Sequence, residues 1–141
     1  MREIRQDLWT VAADVWVITT NGTVRRDGRA VMGRGCAYEA TLWYPGIAAE
    51  LGRLLATRGN HVQWLPQYDL VALPVKHAWW QTADPALMLR STQELVRLTT
   101  AMGWRGVAMP RPGCGNGRLA WADVQRIIAP LLDERFVVCS R

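Results

Sequence analysis

Three features of the sequence predict an α/β fold, with helices layered on a central and largely parallel sheet. Strand-like and helix-like segments alternate along the chain. One run, Val15-Trp16-Val17-Ile18-Thr19, is continuously β-branched or aromatic, as in a strand buried on both faces. Glycine-rich segments follow strands, where ligand loops leave such sheets. The length of 141 residues fits one domain over 1–141, large enough to bury its own core.

Taken in order, the first strand ends at the turn signal Thr20-Asn21-Gly22. A basic segment, Thr23-Val24-Arg25-Arg26-Asp27-Gly28-Arg29, leads through Ala30-Val31-Met32-Gly33-Arg34-Gly35 to a helix from Cys36 to Trp43. Tyr44-Pro45-Gly46 interrupts it, and a second helix over Ile47–Thr57 carries Ala48, Leu51, Leu54 and Leu55 at helical spacing. Arg58-Gly59-Asn60 closes that helix. Strands are expected at His61–Leu65 and Leu70–Leu73, joined by the turn Pro66-Gln67-Tyr68-Asp69. Asp84-Pro85 is an N-cap followed by proline at the first helical position, opening a helix to Met102. A strand at Gly106–Met109, a helix at Trp121–Leu132 and a strand at Phe136–Cys139 complete the chain.

Composition narrows the class. Hydrophobic residues make up 50% and charged residues 21%, which excludes a disordered chain. No apolar run approaches the roughly 18 residues of a membrane span, and Met1-Arg2-Glu3 opens an amphipathic stretch rather than a signal peptide. Cys36, Cys114 and Cys139 are widely spaced, with no C-x-x-C pair, so they are expected to be reduced thiols of a cytoplasmic protein without zinc site or disulfide. Seventeen basic residues against twelve acidic ones give a formal charge of +5, which suits phosphate-bearing ligands or nucleic acid. Lys76 is the only lysine.

Two glycine segments carry candidate chemistry. Gly33-Arg34-Gly35 before a helix has the residues to cradle a phosphate on backbone N–H groups, or simply to make a tight turn. It is neither a P-loop nor a Rossmann fingerprint, which argues against kinases and nucleotide triphosphatases. Pro110-Arg111-Pro112-Gly113-Cys114-Gly115-Asn116-Gly117-Arg118-Leu119-Ala120-Trp121 reads as strand, loop and helix start, again suited to an anion. Two such loops fit a ligand with two phosphates. Cys114 has no partner histidine in sequence and is expected to pack rather than react. Lys76 is either a solvated strand-end lysine or a desolvated amine with nucleophilic character. Asp7 is either a turn carboxylate or an acceptor for an exocyclic amine. Trp79-Trp80, beside Lys76, is the one tryptophan cluster placed to stack on a ring.

Over almost its whole length the chain resembles the macrodomain family, which binds ADP-ribose. The resemblance points to the branch of the terminal ADP-ribose glycohydrolase and the DNA ADP-ribosylglycohydrolase antitoxins, and to short phage-type macrodomains. Val17-Ile18-Thr19-Thr20-Asn21-Gly22 stands at the family's Asn-Ala-Ala-Asn loop, with Asn21 at its second asparagine. Ala30-Val31-Met32-Gly33-Arg34-Gly35-Cys36-Ala37 resembles V-M-G-K-G-I-A, and Leu73-Pro74-Val75-Lys76 resembles F-P-T-K. Gly113-Cys114-Gly115-Asn116-Gly117 to Trp121 resembles G-C-G-N-G-G-L-D-W. This implies a three-layer α/β/α macrodomain with a central mixed, mostly parallel sheet. Asp7 would accept from the adenine amino group, Leu8 would offer its amide, and Asn21, beside Thr20, would touch the distal ribose. Met32, Gly33, Arg34, Gly35 and Cys36, with Pro112, Gly113, Cys114, Gly115, Asn116 and Gly117, would enclose the diphosphate and that ribose.

Lys76 would attack the opened distal ribose at its anomeric carbon. The expected protein is thus a monomeric ADP-ribosyl hydrolase without metal or cofactor, acting on modified nucleic acid or protein. The alternatives are a non-catalytic ADP-ribose reader and an ADP-ribose 1″-phosphate phosphatase. Ile18 departs from the family's first loop asparagine, and Gln6 from the glycine before Asp7. Glycine at 117, where the protein-directed enzyme has aspartate, is shared with the DNA-directed antitoxins and tilts the reading toward nucleic acid. The Arg25-Arg26-Asp27-Gly28-Arg29 insertion resembles the phage-type proteins and offers phosphate contacts.

Overall fold

A computed structural model describes all residues, Met1–Arg141. The strands are β1 (Arg2–Arg5), β2 (Val15–Asn21), β3 (Gln63–Leu65), β4 (Leu70–Lys76), β5 (Val107–Pro110) and β6 (Phe136–Ser140). The helices are α1 (Gly35–Trp43), α2 (Ile47–Arg58), α3 (Pro85–Met102) and α4 (Trp121–Ile128). One sheet holds the strands in the order β1-β6-β5-β2-β4-β3. Every pairing is parallel except β3 with β4.

Strand alternation divides the core into two layers. On one face Val15 and Val17 of β2 and Val71, Leu73 and Val75 of β4 pack with Met88 and Leu95 of α3 and Val124 and Ile128 of α4. On the other, Ile18 and Ala72 pack with Ala37 and Ala40 of α1 and Leu51, Leu54 and Leu55 of α2. The result is the expected α/β/α sandwich with a mixed, mostly parallel sheet. Ile18 is fully buried in the second layer, so the residue at the family's first asparagine position belongs to the core. Burying a side chain such as Phe136 completely contributes about 1.5–3 kcal/mol.

Several boundaries differ from the sequence expectation, each for a local reason. β1 is an edge strand of mostly exposed polar residues, Arg2-Glu3-Ile4-Arg5, and carries no apolar alternation to mark it. β3 begins at Gln63 because the preceding amide of Val62 donates to Glu94 Oε1 (3.0 Å) and His61 meets the same carboxylate (2.7 Å). β4 runs on to Lys76, beyond Leu73, in register with β2. α4 stops at Ile128 because Ala129, still helical at φ −57 and ψ −39, is followed by Pro130, which has no N–H to continue the hydrogen-bond ladder. No helix is long and apolar enough to cross a membrane.

The basic segment after β2 is an ordered hairpin. Arg25 N donates to Arg29 O (2.8 Å), Gly28 N to Arg25 O (3.0 Å) and Val31 N to Thr23 O (3.1 Å). It rests on α2, where Ala30 N donates to Ala48 O (2.8 Å). Gly52 of α2 permits that approach, since a Cβ there would collide with the Gly28 carbonyl and lie 2.8 Å from Ala30 N. Alanine ordinarily gains about 1 kcal/mol over glycine inside a helix. Overpacking against backbone outweighs this, so Gly52→Ala is expected to lower stability by about 1–3 kcal/mol, seen as a lower urea midpoint at unchanged slope.

Candidate functional site

The parallel strands all end at one edge of the sheet, and there a cavity of about 1160 Å³ opens. Its wall is assembled from the segments that follow β1, β2, β4 and β5, with Cys139, Ser140 and Arg141 at the end of β6. This is where the rule for open α/β sheets places a ligand.

Of the residues singled out in the sequence, Leu8, Thr20, Asn21, Met32, Gly33, Arg34, Gly35, Cys36, Lys76, Gly113, Gly115, Asn116 and Gly117 line this one cavity. Asp7, Pro112 and Cys114 do not. The Asp7 carboxylate caps the short helical turn after β1, accepting from Trp9 N (3.3 Å), and pairs with Arg141 (3.2 Å). Pro112 is buried beneath the loop. Cys114 leans on the α3/α4 layer with its Sγ 3.6 Å from Pro112 O, and burial pushes its thiol pKa up. Burial likewise raises the Cys36 thiol, which accepts from Thr19 N at 3.4 Å. All three cysteines are free, and no group of three His, Cys, Asp or Glu is placed to hold a metal ion.

Two sets of amides face the cavity without intramolecular acceptors. The first is the opening turn of α1. Its N-cap, Arg34, makes no side-chain cap, and the first helical bond is Tyr38 N to Arg34 O, so the N–H groups of Gly35, Cys36 and Ala37 remain free. The second is the loop Gly113–Gly117, whose amides also find no acceptor. That loop does not run straight into a helix, as its sequence suggested. Arg118 and Leu119 close it by donating to Gly115 O (3.1 Å) and Gly113 O (2.9 Å), and α4 starts only at Trp121. Gly113 sits at φ +75, and a Cβ on it would meet Met88 Cε at 2.5 Å. A Cβ on Gly117 would collide with the Gly113 carbonyl, so this turn has no room for a side chain there. The two sets adjoin, since a Cβ on Gly35 would lie 3.9 Å from Asn116 Nδ2.

Lys76 is the last residue of β4. A bulge between Thr20 and Asn21 shifts the register so that Asn21, the last residue of β2, pairs with it. Its carbonyl accepts from Asn60 Nδ2 (3.0 Å), which pins the backbone. Its Nζ makes one long bond, to Trp79 O (3.4 Å). Burial holds the Lys76 pKa below the ordinary lysine value, and the nearby Arg118 and Arg34 guanidinium groups lower it further. Asn21 itself is occupied with its loop: Nδ2 donates to Val31 O (3.1 Å) and Oδ1 accepts from Thr23 N (2.9 Å).

Sequence reasoning missed part of the wall. Arg118, Arg111, Arg141, Ser140 and Gln6 belong to it. Arg118 adjoins the glycine loop at φ 64, a left-handed conformation uncommon for a residue with a side chain, and its place beside the motif was the available signal. Arg141 and Gln6 are brought in by the unanticipated β1 and its pairing with β6. Arg111 and Arg141 are ion-paired to Glu3 and to Asp7 and Glu39. Arg25, Arg34 and Arg118 on the same wall have no carboxylate partner.

Comparison with solved structures identifies the architecture. The macrodomain of Mycobacterium tuberculosis DarG matches with a TM-score of 0.85 at 22% identity, over 99% of this chain and 97% of that one. The macrodomain of Thermus aquaticus DarG matches with a TM-score of 0.79 at 23% identity, over 99% and 97%. Thermosipho africanus DarTG in complex with ADP-ribose matches with a TM-score of 0.81 at 16% identity, over 99% of this chain and 41% of that one. No protein-family model matches the sequence, and no curated protein matches it. The fold is therefore that of a macrodomain.

The lone lysine makes its titration directly observable. In protein labelled with ¹³C-lysine, the single ε-carbon resonance is expected to titrate with a midpoint below that of an ordinary lysine. Arg118→Ala should move that midpoint upward, because removing a cation eases protonation of its neighbour.

Proposed function

We propose that the chain binds ADP-ribose in this cavity and hydrolyses an ADP-ribosyl linkage on nucleic acid through Lys76. What carries the reading is the meeting, in one cavity, of two adjoining sets of free amides and a lysine whose charged form is disfavoured. The amides of Gly35 to Ala37 and of Gly113 to Gly117 suit the two phosphates of a diphosphate, with Arg34 and Arg118 supplying charge. The likeness to part of Thermosipho africanus DarTG, a protein solved in complex with ADP-ribose, supports that ligand. Likeness to two DarG macrodomains supports a place near that branch. Leu8, on the cavity wall, would stand at the adenine end, whereas the Asp7 carboxylate lies outside the wall and is engaged by Trp9 N and Arg141. Asn21 contributes by holding the loop to Val31, while Pro112 and Cys114 shape the glycine turn from behind.

The chemistry asked of Lys76 needs a neutral amine. Once the distal ribose has opened, Nζ forms a bond to C1″. The bond from C1″ to the modified nucleic acid then breaks, the proton passing to the departing atom of the substrate and an imine remaining between C1″ and Nζ. Water adds to the imine, the carbon–nitrogen bond breaks, and free lysine and ADP-ribose are released. A pKa below the ordinary value enlarges the reactive fraction at neutral pH.

The test uses an ADP-ribosylated oligonucleotide and an ADP-ribosylated protein. Wild type is expected to release ADP-ribose from the oligonucleotide, and Lys76→Ala to lose at least about a thousandfold in turnover while binding ADP-ribose within about tenfold of wild type. Tight binding without release by wild type would leave a non-catalytic reader in place of a hydrolase. Full turnover by Lys76→Ala would remove the lysine mechanism. Gly117→Asp separates geometry from chemistry. It supplies a carboxylate at the loop, yet calorimetry should find weaker ADP-ribose binding and no gain in rate, because the turn must deform to admit any Cβ.

A further inference from the structure

Six of the eight tryptophans have a ring or hydrogen-bond partner within the fold, although Trp43 is 65% exposed and the buried Trp9 Nε1 meets no acceptor. Trp9 stacks on Trp43 (centroids 6.4 Å apart), Trp64 packs edge-on against Trp104 (4.8 Å), Trp16 Nε1 donates to Val11 O (2.9 Å), and Trp121 donates to Glu3 (2.9 Å) under the Arg111 guanidinium. Trp79 and Trp80 have no such partner. They are 54% and 66% exposed, lie on the cavity wall, and donate no indole hydrogen bond. Exposing two neighbouring indoles costs hydrophobic stabilisation unless a ligand covers them.

Their backbone is nevertheless held. Ala78 N donates to Gln81 Oε1 (2.9 Å), Gln81 N to Ala78 O (3.1 Å), and Trp79 N to Thr23 Oγ1 (3.1 Å). The last bond ties the indole turn to the base of the arginine hairpin, where Arg25 and Arg26 are exposed and free of carboxylates while Arg29 is paired to Asp27. The Trp79 carbonyl is also the acceptor for Lys76 Nζ. One rigid turn therefore joins two bare aromatic rings, two uncompensated guanidinium groups and the lysine.

We infer that Trp79 and Trp80 form a stacking platform for an unpaired nucleobase of the substrate strand, with Arg25 and Arg26 on the flanking phosphates; this rests on the ADP-ribosyl hydrolase reading above. Aromatic rings beside basic side chains are the combination that holds single-stranded nucleic acid, whereas bases stacked in a duplex offer no free face. A protein substrate supplies no regular alternation of ring and anion. The indoles are thus specificity residues for the group that leaves, and the free amides serve the ADP-ribosyl group.

The full chain would be titrated with a single-stranded oligonucleotide carrying 2-aminopurine, with an ADP-ribosylated oligonucleotide, with an ADP-ribosylated peptide and with ADP-ribose alone. Wild type is expected to quench 2-aminopurine. Trp79→Ala/Trp80→Ala should abolish the quench and raise oligonucleotide Kd and KM by about tenfold or more, while Trp79→Phe/Trp80→Phe keeps them within about threefold of wild type. ADP-ribose affinity should stay within about twofold in both variants. The inference is overturned if the alanine variant quenches and binds the oligonucleotide as wild type does. It is equally overturned if ADP-ribose affinity falls in parallel, placing the indoles in the ADP-ribose pocket, or if turnover of the peptide falls as much as that of the oligonucleotide. Failure of wild type to bind ADP-ribose would sink the parent reading alone, because the unmodified oligonucleotide still reports on the platform.

Discussion

Everything at the cavity depends on the parallel alignment of β2 with β4. Parallel strands end at the same edge, so the segments that leave them converge there rather than alternating between edges. The bulge at Thr20 and Asn21 then fixes which residue of β4 stands beside the loop, bringing Lys76 opposite Asn21. Asn60 and Asn21 lock the two strand ends to neighbouring backbone, at Lys76 O and Val31 O. Gly22 is needed in between, because a Cβ there would sit 2.8 Å from His77 O and 2.9 Å from Asn60. A slip of one residue would turn Lys76 from the cavity toward the α3 layer, since side chains alternate faces along a strand.

The wall is also electrostatically incomplete. Arg111 and Arg141 have carboxylates beside them, whereas Arg25, Arg34 and Arg118 have none and the only lysine joins them. Clustered cations without carboxylates repel one another, and the repulsion is eased when the charged form of one member is disfavoured or an anion arrives. The lowered Lys76 pKa acts in the first of these directions, and a bound diphosphate would act in the second. A surface built only for solubility would scatter its cations among carboxylates, as the pairs Arg53–Glu50 and Arg126–Asp123 do elsewhere.

Much of this architecture was legible in the sequence because the signals are local. The β-branched run of β2, the Asp84-Pro85 cap and the spacing of Leu51, Leu54 and Leu55 each report their own element. The glycine segments reported loops able to present free amides. β1 was not legible, since three of its four residues are charged and its strand character comes from pairing with β6 at the far end of the chain. Arg141 enters the wall by that same long-range pairing and occupies Asp7, which no local pattern could reveal. Nor does sequence show that Cys114 leans into the core while Gly113 and Gly115 face the cavity. That division follows from the left-handed backbone at Gly113 and the closure of the turn by Leu119.

The glycine at 117 bears most directly on how such a site would work. Glycine there leaves the turn without a carboxylate beside the lysine, and the backbone of Gly113 fills the space a Cβ requires. Under the proposed reading, the amine must then reach its neutral form without a carboxylate to take its proton. Burial is the largest cause of the lowered pKa, ahead of Arg118 and Arg34. This ordering matters once a diphosphate binds, because the anion would offset the two guanidinium groups and push the lysine back toward protonation. Desolvation is not offset in that way. A ligand filling the cavity removes more water from Nζ, so the effect that favours the free amine grows as the one that opposes it appears.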